Sequence, residues 1–135
     1  MSNLLKRQAR EIALQILFQT EFTSRISSDD FLALFEETVP KEAIEYADLL
    51  VHGVKDRNVD LDALIQSASQ HWSLSRMSLV DKNILRVATF EMKFAIDIIK
   101  PSIAINEAIE LAKKYGSTDS SGFVNGILDS IGKGN

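Results

Sequence analysis

The sequence predicts an all-α protein of about seven helices, and three observations carry that expectation. Apolar residues recur at three-and-four spacing along most of the chain. Helix breakers are scarce, with two prolines and six glycines in 135 residues. No stretch alternates apolar and polar residues strictly enough to compete as a strand. With 45% hydrophobic residues the chain can fill one core, so a single cooperative unit is expected, arranged as a helical bundle or as two abutting bundles.

The first helix is expected from a cap at Asn3 to about Phe22, because Leu5, Ala9, Ile12 and Ile16 form one face while Lys6 and Arg10 stand on the other side. A Thr, Ser and Asp cluster from Thr23 to Asp30 reads as a loop. A short second helix, about Asp29 to Val39, carries acids at its start, where the helix dipole favours them, and must end before Pro40. Pro40 then opens a third, about Lys41 to Arg57, with Ile44, Ala47, Leu50 or Val51, and Val54 on one side. The fourth begins near Asp60 and buries Leu61, Leu64, Ile65 and Ala68, and Gln70 to Met77 is less regular.

Ser78 followed by Asp81 resembles a capping box, which starts a fifth helix at Leu79 and runs it to about Phe94 with Ile84, Val87, Ala88 and Met92 inside. Pro101 begins a sixth, striped by Ile105, Ala108, Ile109 and Ala112 and stopped by Gly116 as its C-terminal cap. The seventh starts near Asp119 and uses Phe123, Val124, Ile127, Leu128 and Ile131. Between the last two, Gly116 to Gly122 has the composition of a mobile surface loop.

Composition narrows the function. A net charge of −4 argues against indiscriminate coating of nucleic acid, so any RNA contact must be local. The first ten residues supply such a locality, with Lys6, Arg7 and Arg10 and no acid. Those cations equally suit the solvated outer face of a bundle helix. Three charges neutralise few phosphates, which asks for aromatic stacking or a partner protein. Phe18 and Phe123 are the candidate stackers, against the commoner use of phenylalanine in a core.

Catalysis finds little support. The histidines, His52 and His71, lie in no recognisable nucleophile motif. Asp48 and His52 are four apart on one helix face, but with no third ligand in view a surface hydrogen bond or ion pair is the better reading, and no metal site is expected. Glu107 and Glu110 read as solvent-facing acids, with Glu110 paired to Lys114. No glycine-rich phosphate loop is present, and the absence of cysteine excludes disulfides and thiolate sites and fits the cytoplasm. The expectation is a soluble protein that is not an enzyme, needs no cofactor and does not enter a membrane.

Three stretches, RQAREIALQILFQTEF, DKNILRVATFEM and AINEAIELAKKYGSTDSSGFVNGILD, resemble the NusB family in order and spacing and cover about half the chain. The resemblance implies one NusB-like domain over residues 1–135, built as two packed three-helix subdomains with an extra N-terminal element. It implies a transcription antitermination factor that binds single-stranded boxA RNA of ribosomal RNA leaders together with NusE, a small-subunit ribosomal protein, and joins RNA polymerase with other Nus factors. The family's RNA-facing positions fall on Lys6, Arg7 and Arg10, and on Asp119 and Phe123, where the ring would stack on a base and the carboxylate accept from a base amino group. Gln8 and Gly122 replace cations of some relatives, which lowers the electrostatic share. For the protein partner the resemblance points to Asp81, Lys82 and Arg86 on the central helix, whereas Asn106, Glu107, Asn125 and Gly126 are as easily structural. The competing reading is a helical protein-binding scaffold or homodimer without direct RNA contact.

Overall fold

A computed structural model describes residues 1–23 and 25–134. Among them the chain forms seven α-helices and no strand: α1 Asn3–Phe22, α2 Ser28–Ala33, α3 Lys41–Asp56, α4 Asn58–Ala68, α5 Leu79–Lys93, α6 Pro101–Tyr115 and α7 Ser120–Lys133, with a single 3-10 turn at Leu74–Arg76. The all-α class and the seven helices follow the pattern of apolar spacing. Two compact units divide the chain, Met1–His52 and Gly53–Asn135, and the division falls inside α3.

In the first unit α1 packs against α2. The Ser2 hydroxyl accepts from the Leu5 N–H at 3.2 Å, so the cap sits one residue before the Asn3 expected for it. Ala9, Ile12, Ala13, Leu14, Ile16 and Leu17 are buried, and each of the larger chains contributes about 1.5–3 kcal/mol of apolar burial. The loop expected over 23–30 is shorter than its composition suggests. Residue 24 lies outside the described residues, and Ser27 already caps α2 by accepting from the Asp30 N–H at 3.1 Å. α2 itself stops at Ala33, not near Val39. Beyond it Leu34, Phe35 and Glu36 donate to carbonyls three residues back, the tighter pattern that frays a helix whose continuation would run into Pro40.

The second unit is organised around α5, which packs against α4, α6 and α7. Residues 83–92 are buried without interruption, including the polar Asn83, Thr89 and Glu91. Ser78 caps α5 by accepting from the Asp81 N–H at 3.1 Å. The reciprocal half of the capping box is missing: the Asp81 Oδ1 has no partner, its side chain being one methylene shorter than the Glu of the full motif. A cap of this kind is worth about 1 kcal/mol.

Two glycines of this unit are dictated by close approach. A Cβ at Gly53 would lie 2.2 Å from the Phe90 ring. One at Gly116 would lie 2.4 Å from the Ser120 hydroxyl and 2.8 Å from the Ala112 carbonyl. Gly116 does end α6, but in extended rather than left-handed backbone, φ −92° and ψ −172°, so contact and not backbone freedom requires it. The segment between α6 and α7 is accordingly tied down: the Ser120 hydroxyl is buried and accepts from the Ser117 N–H at 2.9 Å. The segment expected to be a loop is a short turn between Gly116 and Ser120.

Candidate nucleic-acid interface

On α1, the sequence-selected residues divide between two faces. Residues 7, 11, 15, 18 and 22 recur at three-and-four spacing and make one stripe, in which Arg7, Gln15 and Phe22 are exposed and Glu11 and Phe18 half-buried. Phe18 meets Phe22 edge to face, with ring centroids 5.1 Å apart and planes at 62°. Phe22, 69% exposed, is an aromatic that the sequence reading did not select. Arg7 and Phe18 are eleven residues apart, three turns and about 16 Å along the axis.

Lys6 lies beside this stripe, half-buried, with its ammonium 5.7 Å from the centre of the Tyr46 ring of α3. Arg10 belongs to the opposite face. It is 2% exposed and shares its side of the helix with the buried Ala13, Leu14 and Leu17. The expectation that Arg10 stands on the outer side of the first turns is therefore corrected, because its neighbours at three, four and seven residues are all apolar.

On α5, the three residues selected for a protein partner have unlike surroundings. Lys82 is half-buried, whereas Asp81 and Arg86 are buried within the chain. The Arg86 guanidinium forms a fork with Asp62 of α4, Nε to Oδ1 at 2.8 Å and Nη2 to Oδ2 at 3.0 Å, and its Nη1 donates to the Asn83 Oδ1 at 3.2 Å. This is a structural ion pair between two helices, and it occupies the group that was expected to face outward.

At the start of α7, Asp119 is exposed, precedes the first helical residue and makes no capping bond with its side chain. Phe123, one turn on, is half-buried, and Gly122 is exposed with open space where a side chain would stand. Of the acids of α6, Glu110 is exposed and pairs with Lys113 at 3.7 Å, while Glu107 is buried, contrary to its reading as solvent-facing. Among the described residues no helix is long and apolar enough to cross a membrane.

The chain is similar to the transcription antitermination protein NusB of Bdellovibrio bacteriovorus, with 57% identity over 128 residues and 95% of each chain covered. Among solved structures it is similar to T. maritima NusB, at a TM-score of 0.85 and 41% identity, covering 95% of this chain and 90% of that one. It is also similar to a chain in a crystal structure of the antitermination factors NusB and NusE in complex with double-stranded RNA, at a TM-score of 0.84 and 27% identity, covering 99% and 100%. The NusB family model matches residues 7–133, and the chain belongs to the NusB family.

Proposed function

We propose that this chain is a transcription antitermination factor that works in the cytoplasm, binds boxA-type RNA jointly with NusE, and thereby joins RNA polymerase with other Nus factors. The observation that carries this reading is family membership over residues 7–133 together with an exposed cation and aromatic pair on one stripe of α1. Support for the partner comes from the structure of NusB and NusE in complex with double-stranded RNA, one chain of which this chain is similar to.

In this reading Arg7 and Lys6 contact phosphates, Phe18 and Phe123 offer ring faces to bases, and Asp119 accepts from a base amino group. Two or three phosphate contacts bind weakly on their own, so NusE supplies the rest of the grip. Lys82, half-buried, is the most accessible of the three residues on the partner surface of α5. Arg10, Asp81 and Arg86, being buried, act through the shape of α1 and α5 and not by direct contact. The chain carries RNA and protein together and performs no catalysis.

Fluorescence anisotropy of a labelled boxA RNA, with and without NusE, tests this. We expect weak binding by the chain alone, strong enhancement by NusE, and roughly a tenfold loss of affinity in Arg7→Ala at unchanged melting temperature. A scaffold or homodimer without RNA contact predicts no anisotropy change at any NusE concentration.

A further inference from the structure

The Asp48 and His52 pair, which lacks a third ligand in the sequence, gains one in the fold. Asp29, in the first turn of α2, reaches the same imidazole from 23 residues away. His52 Nε2 lies 3.1 Å from Oδ1 of Asp29 and 3.1 Å from Oδ1 of Asp48, and the three ligand atoms all lie within 4.8 Å of one another. All three residues belong to the first unit.

One imidazole nitrogen carries at most one proton, so it cannot donate a well-aligned hydrogen bond to both carboxylates at once. Two carboxylates held this close also repel. A divalent cation removes both problems, since it accepts the nitrogen lone pair and one oxygen from each acid. Both nitrogen-to-oxygen separations suit it: with bonds of about 2.0–2.1 Å, ligand atoms around zinc stand roughly 3.0–3.4 Å apart, and the two carboxylates, being exposed, have room to close on the ion. One nitrogen and two oxygens, with no thiolate available anywhere in the chain, favour a borderline first-row ion over calcium or magnesium.

We propose that Asp29, Asp48 and His52 bind a divalent transition-metal ion of the zinc class and so tie α2 to α3. Side chains of Asp29, Asp48 and His52 are 74%, 49% and 47% exposed, so water completes the coordination and the affinity is modest. The gain is local order. α2 has six residues, too few to hold a helix on its own, and the ion fixes its first turn against a helix of sixteen. This site is independent of the RNA-binding reading and shares no residue with it.

The test is titration of the tag-free full chain with zinc chloride and, separately, with cobalt(II), whose visible absorption reports coordination. We expect one equivalent to bind, at least about tenfold weaker binding in each of Asp29→Asn, Asp48→Asn and His52→Gln, and none of that loss in His71→Gln. Circular dichroism checks that each exposed-site variant is folded, and zinc should raise the melting temperature of the parent chain but not of Asp29→Asn. Failure of the parent chain to bind below about 1 mM zinc would overturn the proposal. Undiminished binding by Asp29→Asn would overturn it equally, since the ion would then need only the pair on α3.

Discussion

Gly53→Ala is expected to destabilise the chain by about 2 kcal/mol, although the same change in most helices stabilises. Alanine in a helix interior is favoured over glycine by about 1 kcal/mol. Here the added methyl would lie 2.2, 2.4 and 2.8 Å from Cζ, Cε1 and Cε2 of Phe90, far inside contact distance. Phe90 is buried on α5 amid an unbroken run of buried residues, so the ring has nowhere to swing. Overpacking of this kind costs typically 1–3 kcal/mol and here reaches or exceeds the top of that range, which outweighs the propensity gain. Urea denaturation measures the difference. Phe90→Leu, which withdraws the ring edge, should recover part of the loss in the double variant, a coupling that would be absent if glycine served only backbone flexibility.

Arg86→Ala is the other large effect, about 2–3 kcal/mol. Removing one member of a buried ion pair leaves the other charge uncompensated, at a cost of about 3–5 kcal/mol in the interior. The Asp62 side chain is 22% exposed, so water recovers some of this and the lower figure applies. The Asn83 carbonyl loses its donor as well. Arg86→Lys should not rescue, because an ammonium cannot reproduce the two-pronged bond to Asp62. The double change Arg86→Met with Asp62→Leu should lie much closer to the parent than either single change, since no buried charge is then stranded. Equilibrium denaturation of the four proteins decides it, and equal losses in single and double variants would contradict the ion-pair account.

Local periodicity is what made most of the fold legible. Helix starts at Leu79 and Pro101 follow from Ser78 and from proline's fixed φ, both of which act within one turn. The same periodicity, applied more strictly, would have placed two charged residues correctly. Arg10 precedes Ala13, Leu14 and Leu17 by three, four and seven residues, and Glu107 stands three after Ala104 and four before Leu111, the spacing of an inward face. Charge alone points both toward solvent, and helical position places both inside.

Other features lie beyond any local pattern. The fork between Arg86 and Asp62 and the approach of Asp29 to His52 join residues more than twenty apart, and no spacing rule selects one acid among nineteen as the partner. Fold closure decides those pairings. The contrast between Arg7 and Arg10, three residues apart, likewise depends on which side of α1 meets the rest of its unit. On α1 the sequence supplied Lys6, Arg7 and Phe18, and the structure added Phe22 as an exposed ring on the stripe of Arg7 and Phe18.

The salt dependence of boxA RNA binding, measured with saturating NusE for the parent chain and for the double variant Lys6→Ala with Arg7→Ala, bears most directly on the α1 surface as an RNA contact. Loss of two phosphate contacts on single-stranded RNA should make the slope of log affinity against log salt shallower by about 1.4. An unchanged slope in a folded double variant would place the RNA elsewhere on the chain and contradict the account.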